Sequence, residues 1–274
     1  MWSLVLLTSG NFASASEDRS IKIWSTSTET LLHTLPGHTA AVYGLAALSG
    51  NGLASVGFDG YLRIWDATLG GAETRSVSVN GVNTLTAVAK LSTGNVAVAV
   101  GDFSIKVYNP ADVSLVSTTF AAGHTAVINF LLSLSNGDLA SASGDTSVKI
   151  WNVADGSLRR TLTGHSDEVM TLKEIGSDLA SGSKDDKIKI WDVSTGLEKK
   201  TINVASDVYS VEYLRGLYVT SGSTNGWLEF WDKSSGSKYQ TDYVGSNILL
   251  SQLTLPSGNL VVGDSVGTIK ILKF

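Results

Sequence analysis

Ile21-Lys22-Ile23-Trp24 is the phrase on which the fold turns. It returns as Leu62-Arg63-Ile64-Trp65, Ile105-Lys106-Val107-Tyr108, Val148-Lys149-Ile150-Trp151, Ile188-Lys189-Ile190-Trp191, Leu228-Glu229-Phe230-Trp231 and Ile269-Lys270-Ile271-Leu272. The closing residues stand at 24, 65, 108, 151, 191, 231 and 272, so the steps are 41, 43, 43, 40, 40 and 41 residues. A period of roughly 40–45 residues, rich in β-formers, is the mark of an array of propeller blades. Seven copies fill the chain. They predict an all-β, seven-bladed β-propeller over residues 1–274 as a single domain, with no separate catalytic domain.

The second repeat shows the grammar of one unit. Val42 to Leu48 is an apolar run, followed by a turn at Ser49-Gly50-Asn51-Gly52. Leu53 to Val56 is a second strand, Gly57-Phe58-Asp59-Gly60 a second turn, and Tyr61 to Trp65 a third strand. Glu73 to Val79 follows as the fourth. Short strands bounded by Gly, Asn and Asp clusters read as an antiparallel meander. No useful length carries the 3.6-residue period of a helix. Stretches such as Val96-Ala97-Val98-Ala99-Val100 are apolar without alternation. That suits a sheet covered on both faces, as blades packed around a ring would be.

Composition narrows the function. The chain has 16% charged residues, below the roughly 25% of ordinary globular domains. Its net charge of −5 disfavours nucleic acid, which asks for a basic face to displace phosphate counterions. With no cysteine there are no disulfides and no thiolate metal sites. The histidines at 33, 38, 124 and 165 fall in no metal-ligand spacing, and no cofactor is expected. No run of about 18 apolar residues is present, so no membrane span is expected. The opening Met1-Trp2-Ser3-Leu4-Val5-Leu6-Leu7 aligns with strand positions of the other repeats and reads as a strand, not a signal peptide.

The repeats resemble the WD40-repeat family of β-propellers. The Trp-Asp pair stands at Trp65-Asp66, Trp191-Asp192 and Trp231-Asp232, and is softened to Trp24-Ser25, Tyr108-Asn109 and Trp151-Asn152. The companion Gly-His stands at Gly37-His38, Gly123-His124 and Gly164-His165. Aligned on the repeats, Met1 matches Val42 and Phe274 lies just past the third strand of the seventh unit. Blade 7 is therefore expected to have three strands, its segment Gly267 to Phe274 forming an open edge available for self-association. The same count suggests a truncated or engineered chain, or one domain of a longer protein.

Three repeats hold a His, a Ser, an Asp and a Trp at matching positions. These are His38, Ser55, Asp59 and Trp65; His124, Ser141, Asp145 and Trp151; and His165, Ser181, Asp185 and Trp191. A Ser with a His and an Asp invites a hydrolase reading. An active site is usually unique, however, and this set recurs. The resemblance implies a buried hydrogen-bond chain that ties loop to turn and ends on the indole, with no enzymatic role. The first repeat keeps Ser14, Asp18 and Trp24 without a His, and the sixth has Asn225 and Trp231.

The resemblance also implies where partners dock: on the face carrying the loops before the first strand and the turns between the second and third. The residues implied to point into that opening are Trp2, Tyr43, Thr86, Asn129, Met170, Tyr209 and Leu250. Glu17, Phe58, Gly101, Gly144, Lys184 and Thr224 lie beside them. Trp2, Tyr43, Phe58, Tyr209 and Leu250 form an expected apolar arc, the kind of surface that makes binding hot spots. Trp227, placed in a turn, is a further aromatic on this face. The expected function is a non-catalytic, cytoplasmic scaffold that binds a protein or peptide segment. Alternatives are a propeller that binds glycans or small molecules, and an engineered one with no selected partner.

Overall fold

Each Ile-Lys-Ile-Trp phrase forms the third strand of an antiparallel meander, and seven such sheets, six of four strands and the last of three, follow one another along the chain. The structure is a computed structural model. It describes residues 1–274 except 69–71, 80, 82–83, 121–122, 223–225 and 233, with backbone only at 117–119 and 219–221. Thr224 and Asn225 therefore lie outside the described residues.

Blade 1 is β1 (Ser3–Leu6), β2 (Phe12–Ala15), β3 (Ile21–Trp24) and β4 (Leu31–Leu35). Blade 2 is β5 (Val42–Ala47), β6 (Gly52–Gly57), β7 (Tyr61–Asp66) and β8 (Ala72–Ser78). Blade 3 is β9 (Leu85–Lys90), β10 (Val96–Val100), β11 (Ile105–Tyr108) and β12 (Leu115–Phe120). Blade 4 is β13 (Ile128–Ser133), β14 (Leu139–Ser143), β15 (Val148–Trp151) and β16 (Leu158–Leu162). Blade 5 is β17 (Val169–Ile175), β18 (Asp178–Ser183), β19 (Lys187–Asp192) and β20 (Glu198–Asn203). Blade 6 is β21 (Ser210–Leu214), β22 (Leu217–Ser221), β23 (Trp227–Asp232) and β24 (Lys238–Tyr243). Blade 7 has three strands, β25 (Leu249–Thr254), β26 (Leu260–Asp264) and β27 (Ile269–Leu272).

Burial rises and falls across each blade. The second strands are almost wholly buried, as in β2, β10 and β14. The fourth strands face water over most of their length, as in β8 and β24. Apolar runs without alternation are therefore inner strands sandwiched between neighbouring blades, and mixed polar segments form the rim.

The apolar core follows the same plan, with clusters lying between successive blades. Leu7, Ile21 and Ile23 of blade 1 pack on Val42, Leu45 and Trp65 of blade 2. Ala140, Val148 and Ile150 of blade 4 pack on Val169, Leu172 and Trp191 of blade 5. The ring closes where Phe12, Leu4 and Trp24 of blade 1 meet Leu253, Val261, Ile269 and Ile271 of blade 7. There the Met1 ammonium donates to the Asp264 carbonyl at 2.6 Å. Each blade thus buries both faces only by having neighbours, which is why the repeats stabilise one another.

The edge of blade 7 is narrower than the segment Gly267 to Phe274. Only Ile269–Leu272 is strand, paired with β26. The end of the chain turns inward instead: the Phe274 ring meets Phe230 edge-on at 5.6 Å, and Arg215 donates to the Phe274 carbonyl at 2.7 Å. These contacts tie the end of the chain to blade 6. Trp227 is likewise not in a turn but is the first residue of β23. It is 40% exposed and 5.0 Å from the Tyr243 ring.

Candidate functional site

The first strands of all seven blades line an axial channel of about 570 Å³. Trp2, Tyr43, Thr86, Asn129, Met170, Tyr209 and Leu250 all border it. Strand pairing accounts for that placement. In β5, Val42 pairs with Gly57 and Gly44 with Val56, which leaves Tyr43 as the extra residue of a bulge. The same skip leaves Thr86, Asn129, Met170 and Leu250 unpaired in their strands. A bulge bends its strand and re-aims one side chain, and here it turns that side chain to the channel mouth.

Three of these aromatics form a ladder. The Trp2 and Tyr43 centroids are 4.7 Å apart with planes 26° from parallel, and those of Tyr43 and Phe58 are 4.2 Å apart at 17°. Phe58, 40% exposed, closes the ladder on the outer side. The Trp2 indole donates to Glu17 Oε2 at 2.7 Å, and Tyr209 Oη donates to Asp207 Oδ2 at 3.1 Å. Burial, and then the charge of Glu17, raises the Tyr43 phenol above its ordinary value. Burial, and then Asp207 and Glu168, does the same for Tyr209. Tyr209 and Leu250 border the same channel on the blade 6 and blade 7 side. Met170 lies across it, its sulfur 3.5 Å from the Asn129 amide.

The three His-Ser-Asp-Trp sets are continuous chains of hydrogen bonds. In blade 2, Trp65 Nε1 donates to Ser55 Oγ at 2.8 Å, Ser55 lies 2.7 Å from His38 Nε2, and His38 Nδ1 lies 2.9 Å from Asp59 Oδ2. Blade 4 repeats it through Trp151, Ser141, His124 and Asp145 at 2.8, 2.7 and 2.7 Å. Blade 5 repeats it through Trp191, Ser181, His165 and Asp185 at 2.8, 2.7 and 2.9 Å. An indole can only donate, so each Ser Oγ accepts from its Trp, and each carboxylate accepts from imidazole Nδ1; with the imidazole neutral, the Ser hydroxyl donates onward to Nε2. Each Asp also accepts the backbone N–H after its histidine, as Asp59 does from Thr39 at 3.0 Å.

The glycine before the histidine has a packing reason in blades 2 and 4. A Cβ on Gly37, at φ +154°, would stand 2.8 Å from the Trp65 ring, and one on Gly123 would stand 2.1 Å from Trp151. The three serines have no solvent exposure. Their hydroxyls are covered by the indole on one side and imidazole on the other, where an acyl substrate would have to approach. Burial holds His124 and His165 below the usual imidazole value, despite the opposing pull of Asp145 and Asp185. Asp59 sits at about 2: burial raises it, and the His38 hydrogen bond, the His38 charge and two backbone donors together outweigh that.

The remaining blades depart from this scheme in readable ways. Blade 1 keeps only the Trp24 to Ser14 bond, at 2.9 Å. In blade 6, Trp231 Nε1 is buried with no hydrogen bond among the described residues. In blade 7, Asn247 donates to Asp264 at 2.9 Å, a link made one turn away from the others and not visible in the spacing. Sequence reasoning also passed over Gln252, which borders the channel at 5% exposure with both amide atoms unpartnered among the described residues. Its counterparts in the other blades are Leu4, Leu45, Val88, Leu131, Leu172 and Val211, a comparison that would have marked it. Among the described residues no cluster of three or more His, Cys, Asp or Glu side chains is placed to hold a metal ion. No described helix is long and apolar enough to cross a membrane.

Comparison with known proteins follows the same lines. A family model described as "WD domain, G-beta repeat" matches residues 1–25, 29–66, 115–152 and 156–192. Those units end at the Trp24, Trp65, Trp151 and Trp191 phrases, the four whose indole is bonded to a serine. A stretch of 69 residues is 45% identical to the nuclear distribution protein PAC1 of Arthroderma benhamiae, and equally to that of Trichophyton verrucosum. It covers 24% of this chain and 15% of each relative, so the likeness spans a small part of those proteins. With the family model matching half of its length and seven radial blades in its structure, the chain belongs to the WD40-repeat family of β-propellers.

Proposed function

We propose that the chain is a non-catalytic interaction scaffold that holds a peptide segment of a partner protein across the channel mouth. The observation that carries this is the Trp2–Tyr43–Phe58 ladder, three stacked aromatics set at a concave opening instead of in the core. Rigid aromatic side chains give large contact area at little entropic cost, and they dominate binding energy where they cluster. The serine of each His-Ser-Asp-Trp chain serves in this reading as a structural junction. A cytoplasmic setting is part of this reading. Affinity purification with the wild type and with Trp2→Ala and Tyr43→Ala tests the reading. Loss of the same partner from both variants, at unchanged thermal stability, is the expected result. Equal recovery from all three would remove the ladder as the site.

The edge of β27 supports a second contact. It has no fourth strand among the described residues, and an unpaired edge is a template for another strand. Self-association there would appear in sedimentation velocity as a dimer fraction rising with concentration. A single monomer boundary throughout would contradict it.

A further inference from the structure

The charges around the channel mouth say what kind of segment it receives. We infer that the docked segment inserts a basic side chain, arginine above all, between the aromatic ladder and Tyr209. This rests on the docking reading and adds the chemistry of the partner to it.

Carboxylates converge on the aromatics from both sides of the opening. On the blade 1 side, Glu17 is bonded to Trp2, and Glu17 and Asp18 both act on the Met1 ammonium. On the blade 6 side, Asp207 is bonded to Tyr209, and Glu168 acts on the same phenol. The hydrogen bonds to Glu17 and Asp207 come from an indole and a phenol. Neutral donors of this kind orient a carboxylate without cancelling its charge, although Glu17 also feels the Met1 ammonium. Of the four, Glu168 has an ion pair with Lys184 at 3.1 Å, and Asp18 has a looser one with Lys22 at 4.0 Å.

An anionic segment would meet this arrangement with like-charge repulsion, and a neutral one would gain only the apolar contact. A guanidinium gains on three counts. It stacks on aromatic faces, it is weakly hydrated and so inexpensive to bury, and its planar fork matches carboxylates.

A random peptide display library selected against the immobilised wild-type chain tests this. Enriched peptides are expected to share an arginine or lysine. Replacing it with glutamine in the synthetic peptide should weaken binding roughly tenfold or more, as should Glu17→Gln with Asp207→Asn in the protein. Both replacements keep an oxygen for the Trp2 and Tyr209 bonds, so the ladder stays oriented while the charge is lost. Binding should also weaken as salt is raised. Peptides without a basic residue that still depend on Tyr43 would overturn the inference and leave the docking reading standing. Basic peptides indifferent to both the charge variants and Tyr43→Ala, or a selection that yields none, would overturn both.

Discussion

Tyr43 stands face to face with Phe58, the ring centroids 4.2 Å apart and the planes 17° from parallel. The two belong to different parts of blade 2, the bulge of β5 and the turn after β6. Their stacking joins the inner strand to the loop face. A stacked aromatic pair adds about 0.5–1.5 kcal/mol beyond its area. Phe58→Ala should therefore lower the unfolding free energy only modestly, with the circular dichroism spectrum of a β-propeller retained in a denaturant titration. Gross unfolding by this one change would mean that the ladder belongs to the core and not to a docking surface.

Ser181→Ala is expected to act much more strongly. It leaves Trp191 Nε1 and His165 Nε2 buried without their common partner, and an orphaned buried polar group costs about 1–3 kcal/mol. Adding Trp191→Phe removes one orphan, so the double variant should be destabilised by less than the sum of the two single ones. Strict additivity in equilibrium unfolding would show that the chain of bonds is not cooperative.

Acid should loosen the molecule in two stages. His124 and His165 sit below their ordinary 6.5, so the unfolded chain takes up protons there before the native one does. Stability from this source is complete above pH 6.5 and falls as pH drops towards the depressed native values. Asp59, shifted from 3.8 to about 2, has the same sign and acts between those limits. Denaturation midpoints should fall as pH drops below about 6.5, and His124→Gln with His165→Gln should flatten that slope. A midpoint that rises on acidification would contradict the neutral-imidazole chain.

Gln252→Leu should stabilise the protein. The amide borders an apolar girdle with neither atom partnered among the described residues, and removing such a group recovers about 1–3 kcal/mol of desolvation cost. A lower melting temperature in calorimetry would show that the amide is satisfied in solution.

The even recurrence of the Ile-Lys-Ile-Trp phrase made the seven sheets readable, while the three bonded sets were legible only through the family resemblance. The channel-mouth positions came from the resemblance, carried from blade to blade by the register that the repeats share. The ladder's stacking was not, since it depends on a bulge that re-aims Tyr43. Gln252 was hidden inside the run Leu249 to Leu253, which reads as one more inner strand. Trp227 was assigned to a turn because Asn225-Gly226 just before it reads as a turn signal, although it holds the register of Tyr61 and Lys187, the first residues of β7 and β19.

The docking reading is tested most directly by placing a photo-crosslinking phenylalanine analogue at position 58, on the channel-mouth face. The control is the same analogue at position 197, where Leu197 is 68% exposed in the turn between β19 and β20 at the opposite end of blade 5. The account predicts a discrete adduct with the purified partner at 58 and none at 197. Equal labelling at both positions, or labelling at 197 alone, would contradict it.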